Sequence, residues 1–135
     1  MRFLVDANVL SEITRPSPAP QVLDWLATNE AELAVNPVIL GEIEYGILLL
    51  EVGVRRNRLL EWFRVGVQKI HVFDFDAATA STWAQLLAQL RGNGKSMPVK
   101  DSMIAASALT HKLTVVTRNI RDFEPCGVKI LDPFL

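Results

Sequence analysis

One cysteine, Cys126, stands in 135 residues. A disulfide within the chain is thereby excluded, and the sparing use of thiol predicts a reducing, cytoplasmic setting. Histidine is scarce as well. His71 and His111, with Cys126, show no zinc-ligand spacing. Long apolar runs are missing. The longest, around Tyr45 to Leu50, falls far short of the ~20 residues that a membrane span needs, so no membrane partner is expected. At the N-terminus Met1-Arg2-Phe3-Leu4-Val5 meets Asp6 at once, which leaves no apolar stretch of signal-peptide length. Excess charge of either sign is lacking: 14 Lys and Arg against 15 Asp and Glu give a formal net charge of −1. The whole-chain basicity common in nucleic-acid binders is absent, so any such binding must rest on local patches.

Half of the residues are hydrophobic, which, with so little net charge, excludes a disordered chain. The length predicts one domain, 1–135, with a core of its own. Arg2 to Val5 reads as a short buried strand ended by Asp6, and Ala7 to Thr14 as a helix stopped by Pro16-Ser17-Pro18-Ala19-Pro20. Gln21 to Asn29 carries Val22, Trp25 and Leu26 at helical spacing, and Glu32 to Val35 reads as a second strand. Asn36-Pro37 predicts a helix start with Asn36 as its cap. That helix runs through Glu42 to about Glu51, with Gly53 ending it, and another follows from Arg55 to Val65. Ile70 to Phe75 alternates as a third strand. Asp76 caps a helix from Ala77 to Leu90, broken at Gly92-Asn93-Gly94. A helix from about Lys100 to His111 precedes a fourth strand, Leu113 to Thr117, and Val128 to Leu131 is a fifth. Strands separated by helices predict an α/β fold in three layers, α/β/α, around a mostly parallel sheet of four to five strands.

In such sheets, sites form beyond the carboxyl ends of the strands. Asp6 follows the first strand, Glu42 lies in the second turn of the helix after the second, Asp101 opens the helix before the fourth, and Asn119 and Asp122 follow the fourth. If the first and fourth strands are neighbours, these groups share one mouth. Gathered carboxylates repel, so they need a cation or must retain protons. Oxygen-only ligands suit Mg²⁺ or Mn²⁺, and Thr117 and Asn119 can hold a ligand or a water by hydrogen bonds.

Each acid also has an ordinary reading. Asp6 serves equally well as a helix cap. Asp101 in a first helical turn suits the helix dipole. Glu44 competes with Glu42 on the same helix, Asp122 reads as a loop acid, and Glu12 faces either the site or solvent. Asp74 and Asp76 read as strand-end and capping residues.

Four pieces in order carry more: Val5-Asp6-Ala7-Asn8-Val9-Leu10-Ser11-Glu12; Glu42 with Tyr45-Gly46; Lys100-Asp101 with Ile104-Ala105-Ala106 and Ala108; and Thr117-Arg118-Asn119-Ile120-Arg121-Asp122-Phe123. Over nearly the whole chain this resembles the PIN-domain proteins, specifically the VapC/FitB-like toxins of type II toxin–antitoxin pairs. The resemblance implies a PIN-like fold and a Mg²⁺- or Mn²⁺-dependent endoribonuclease that hydrolyses RNA with a metal-activated water. It implies Asp6, Glu42 and Asp101 as the acidic metal-site positions, Asp122 as the further acid of FitB-like members, and Thr117 as the supporting hydroxyl. Asn119 stands where many members carry another Asp, which removes one charge. A homodimer and a cognate antitoxin are further implications. The antitoxin would lay a helix in an apolar groove walled by the helices Pro37–Glu51 and Arg55–Val65. For RNA contact, Lys100, Arg118 and Arg121 lie beside the acids and are favoured, whereas Arg55, Arg56, Arg58 and Arg64 read as solvated surface.

Other classes fit less well. A catalytically silent PIN-like module for RNA or protein would not need all four acids, and a housekeeping RNA-processing nuclease would share the site but not the toxicity. A receiver-type phosphoacceptor wants an acid pair after the first strand, and a haloacid-dehalogenase-type site wants Asp-x-Asp there. Asp6-Ala7-Asn8 offers neither.

Overall fold

Phe3, Leu4 and Val5 are all buried, with no alternation between a wet and a dry face. The same holds for Leu33, Ala34 and Val35. Strands of this kind are covered on both sides, as parallel strands between helix layers must be. A computed structural model, which describes residues 1–135 except for the side chain of Gln68, shows that arrangement. Strands β1 (Phe3–Val5), β2 (Leu33–Val35), β3 (His71–Val72), β4 (Thr114–Val116) and β5 (Ile130–Leu131) form one sheet in the order β3-β2-β1-β4-β5. Every pairing is parallel. In register, Leu4 lies between Ala34 and Val115. The chain builds outward from β1 in one direction and then resumes on its other side with β4. The connections leaving β1 and β4 therefore diverge, and a crevice opens between them.

The helices are α1 (Ala7–Leu10), α2 (Pro20–Thr28), α3 (Pro37–Leu48), α4 (Val54–Val65), α5 (Ala77–Gly92), α6 (Val99–His111) and α7 (Ile120–Phe123). Helix α3 buries Ile39, Ile43 and Ile47, one residue per turn. Helix α6 buries Ser102, Ala105, Ala106, Ser107 and Ala108, small side chains that let it lie close to its neighbours α3, α5 and α7. Its first turn is pinned to α5, because the Trp83 indole donates to Ser102 Oγ at 2.9 Å. Among the described residues no helix is long and apolar enough to cross a membrane.

The expected elements are present, with differences at their ends. The segment after β1 is helical as expected but tightens into a 3₁₀ turn at Ser11–Thr14. Helix α3 stops at Leu48, not near Glu51. Leu48 and Leu49 are already exposed, so another turn would have nothing to pack on. Gly53, at φ 167°, is extended backbone at the start of α4 and does not end α3. Strand β3 keeps two residues of the six expected. Its partner β2 is three residues long and turns into a helix at Asn36, so pairing ends with the bond from Phe73 N–H to the Val35 carbonyl, 2.9 Å. Helix α7 was not expected. Four residues hold too little pattern to read, yet they bury Phe123 completely.

Asn36 is buried and does two jobs. Its Oδ1 accepts from Ile39 N–H at 3.0 Å, which caps α3, and its Nδ2 donates to Ser107 Oγ on α6 at 3.0 Å. An orphaned buried donor costs about 1–3 kcal/mol. Asn36→Ala is expected to lower stability by about 2–4 kcal/mol, the lost cap included. In denaturant unfolding, Ser107→Ala added to it should cost less than it does alone. Fully additive effects would show that the two side chains are not coupled.

Candidate active site

Asp6 closes β1. Its backbone is extended, φ −68° and ψ 155°, and its Oδ1 accepts from Ala7 N–H at 2.8 Å to cap α1. Its Oδ2 accepts from Thr117 Oγ at 2.8 Å and from Asn8 Nδ2 at 3.1 Å. The capping reading is thus met by one oxygen of Asp6, while the other is held by Thr117 and Asn8. Burial pushes its pKa above the usual carboxylate value, while the bonds from Thr117, Ala7 and Asn8 and the charge of Lys100 pull it down. Thr117, fully buried at the end of β4, spends its oxygen three ways: it donates to Asp6 and accepts from Asn8 Nδ2 at 3.2 Å and from Asn119 N–H at 3.0 Å. Asn8 completes the knot, its Oδ1 accepting from Arg118 N–H at 3.1 Å. Asn8 was not among the expected site residues. Its signal was an amide two positions after an acid at a strand end.

Three further acids converge on this knot from separate segments. Glu42, in the second turn of α3, is half-buried, while its competitor Glu44 is exposed. Glu42 Oε2 lies 3.7 Å from Lys100 Nζ, and its Oε1 is buried without a hydrogen-bond partner. Burial raises its pKa, Asp6 raises it further, and Lys100 opposes both. Asp101, in the first turn of α6, is pushed up to about 6, by burial first and then by the charges of Asp6, Asp122 and Glu42. Asp122 is half-buried on α7, its N–H donating to the Asn119 carbonyl at 3.2 Å. Asp6, Asp122 and Glu42 are thus near enough to Asp101 to raise its pKa, as Asp6 is near enough to Glu42.

The other expected residues have varied surroundings. Asn119 is exposed and contributes its backbone N–H to Thr117. Lys100 is paired with Glu42. The Arg118 guanidinium lies 4.5 Å over the Phe134 ring, and Arg121 is exposed beside Asp122. Glu12 borders neither site nor solvent. It is buried, its Oε2 accepts from Ala19 N–H at 2.8 Å, and its Oε1 lies 3.8 Å from Arg15, so it holds the proline-rich turn in place. Asp76 caps α5 through Thr79 as expected, and Asp74 is exposed. His71 and His111 pack on Phe73, with ring centroids 4.5 and 4.1 Å away.

Among the described residues no three His, Cys, Asp or Glu side chains are set to clasp a metal ion together. The donor chemistry nevertheless fits a hard divalent cation. The mouth offers carboxylate oxygens with no nitrogen or sulfur ligand, one of those oxygens is buried and unpartnered, and burial together with neighbouring acids raises the proton affinity of Glu42 and Asp101.

Two grooves flank helix α4. One, of about 460 Å³, is apolar and runs between α2 and α4, lined by Leu10, Ile13, Leu26, Trp62, Val67 and Ile70. Helix α4 walls this groove together with α2. The other groove, of about 390 Å³, includes Glu42 and runs between the Ser11–Thr14 turn and α3–α4.

Comparison with known proteins shows the family and the fold. The PIN domain model matches residues 3–125. The chain is 35% identical to the plasmid stability protein StbB of Pseudomonas syringae pv. tomato, with 98% of each chain covered. It is 31% identical to the toxin FitB of Neisseria gonorrhoeae, again with 98% of each covered. It is 32% identical to a tRNA(fMet)-specific endonuclease VapC of Shigella flexneri, covering 94% of this chain and 93% of that one. Among solved structures, the FitAcB crystal structure from Neisseria gonorrhoeae superposes with a TM-score of 0.91 at 30% identity and 98% coverage of both chains. A FitAB complex bound to a DNA fragment gives 0.91 at 29% identity, covering 98% of this chain and 96% of that one. The chain belongs to the PIN-domain family, among its VapC/FitB-like members.

Proposed function

We propose that this chain is a divalent-metal-dependent endoribonuclease, the toxin of a toxin–antitoxin pair, and that the carboxylate mouth is its active site. The observation that carries the reading is the convergence of Asp6, Glu42, Asp101 and Asp122, from four segments, at the crevice beyond β1 and β4. The family and the ribonuclease and toxin names among its relatives support it. The domain spans 1–135 and works in the cytoplasm as a homodimer.

Asp6, Glu42 and Asp101 would hold Mg²⁺ or Mn²⁺, with Asp122 holding the ion or its water. Such an ion lowers the pKa of a bound water and polarises a phosphoryl oxygen. The chain's own contribution is arrangement. Thr117 and Asn8 fix the Asp6 carboxylate in one orientation. Lys100 offsets part of the negative charge at Glu42 and stands where a phosphate would arrive. Arg118, steadied on Phe134, and Arg121 supply further cations beside Asp122. The apolar groove between α2 and α4 suits an antitoxin helix laid in by its apolar face.

Asp6→Asn and Asp101→Asn are each expected to reduce Mg²⁺-dependent RNA cleavage by roughly a hundredfold or more, with far-UV circular dichroism unchanged. Cleavage at the wild-type rate by a folded variant would sink the site. A second expectation concerns pH. The Asp101 carboxyl is raised in the fold from 3.8 to about 6. Its stabilising contribution is complete below the lower value and is lost as pH rises through the upper one. The metal-free chain should therefore lose stability between about pH 4 and pH 7, on the order of 1 kcal/mol after discounting for solvent screening of a half-exposed group. Asp101→Asn should flatten that slope, and Mg²⁺ at neutral pH should raise the melting temperature of the wild type more than that of the variant. Thermal melts with equal slopes and equal Mg²⁺ responses would count against a shared site. Finally, expression without an antitoxin should arrest bacterial growth. Normal growth with soluble, active enzyme would point to RNA processing instead.

A further inference from the structure

Two arginines share a groove with Glu42, and neither belongs to the cations beside Asp122. The groove between the Ser11–Thr14 turn and α3–α4 is lined by Ser11, Thr14, Arg15, Glu42, Gly46 and Arg55, over an apolar floor. We propose that it is the track along which a single RNA strand reaches the acids, with Arg15 and Arg55 holding backbone phosphates. The inference rests on the nuclease reading and adds to it a binding surface and two positioning residues.

Charge placement favours a polyanion here. Arg55 is exposed and lines the groove, whereas Arg64, on the same helix, is exposed and does not. Arg15 is held from below. Buried Glu12 lies 3.8 Å from Arg15 Nη1 and also accepts the Ala19 N–H, so the arginine stands on a fixed base while its side chain stays 62% exposed. The Ser11 hydroxyl adds a donor for phosphate along the same wall, whereas that of Thr14 already donates to the Ser11 carbonyl at 2.7 Å.

Gly46 is the second observation. It lies one helical turn beyond Glu42 on α3, and a Cβ built there would meet nothing within 4 Å. Glycine inside a helix costs about 0.5–1 kcal/mol relative to alanine. Packing within the chain does not call for it, so its use is to keep the groove open beside Glu42. Gly41 has the same freedom but does not line the groove, which makes it the natural control.

The test measures cleavage of a short single-stranded RNA with Mg²⁺, together with anisotropy of the labelled RNA bound to the chain carrying Asp101→Asn. Arg15→Gln and Arg55→Gln are each expected to raise KM and Kd roughly threefold to fivefold, to leave kcat unchanged, and to reduce the salt dependence of binding by about 0.7 in log–log slope. Arg55→Lys should retain most of the affinity, and Arg64→Gln should behave as wild type. Gly46→Leu should weaken RNA binding without lowering the melting temperature, and Gly41→Leu should not weaken it. Wild-type Kd and salt slope in Arg55→Gln, or equal losses in Arg55→Gln and Arg64→Gln, would overturn the track while leaving the nuclease reading standing. So would a polyglutamate peptide bound as tightly as RNA, which would point to an acidic protein instead. A wild-type chain that neither binds nor cleaves RNA would overturn both.

Discussion

The hydrogen bond from Thr117 Oγ to Asp6 Oδ2, 2.8 Å long, joins residues 111 positions apart. It ties the end of β1 to the end of β4, where the sheet changes its direction of growth. The geometry of the whole mouth depends on it. It fixes the orientation of a buried carboxylate that would otherwise be costly to keep charged. It also holds the two diverging connections together closely enough for Asn8 to reach the Arg118 N–H. The same contact therefore serves stability and chemistry. That is how a buried acid can be tolerated at the end of a strand whose own residues are all apolar.

Around this fixed point the other acids are held under strain of an electrostatic kind. Glu42 keeps a buried oxygen with no partner, and Asp101 is driven toward its neutral form by burial first and then by the neighbouring acids. A chain selected for stability alone would not gather these groups. Folding is secured elsewhere, in the apolar strands, in the isoleucine stripe of α3 and in the small residues of α6 that let it pack closely against α3 and α5. The site is supported by that scaffold rather than supporting it. Lys100 supplies part of the missing positive charge at Glu42, from the residue next to Asp101.

Much of this was legible in the sequence because it follows simple patterns. Strands separated by helices implied a parallel sheet between helix layers, and Asn36-Pro37 and Asp76 announced helix starts that the hydrogen bonds bear out. The acids could be located at strand ends, but their convergence needed the strand order, which a one-dimensional pattern does not contain. Local readings failed where tertiary context decides. Glu12 looks like any surface glutamate, yet it is buried because the proline-rich turn folds back over it. Gly53 looks like a helix stop, but α3 ends earlier, where its apolar stripe runs out of partners. Helix α7 and the shortness of β3 depend on neighbours far along the chain. Family resemblance closed part of that gap by favouring Glu42 over Glu44. The exposure of Glu44 agrees with that choice.

Helix α4 shows how one element can serve two surfaces. It has no fully buried residue, so the core places few demands on its sequence. Toward its end, Trp62 joins the apolar groove against α2, while toward its start, Arg55 and Leu59 join the groove that includes Glu42. The 3₁₀ turn opposite it divides in the same way: Ile13 faces the first groove, and Ser11 and Thr14 face the second. Tight 3₁₀ geometry, with three residues per turn, lets neighbouring positions point to different sides within four residues. A partner seated in the apolar groove would thus share α4 and the Ser11–Thr14 turn with a polyanion in the other one. The two need not compete for the same atoms for binding of one to be felt by the other, because both press on α4 and on the same short turn.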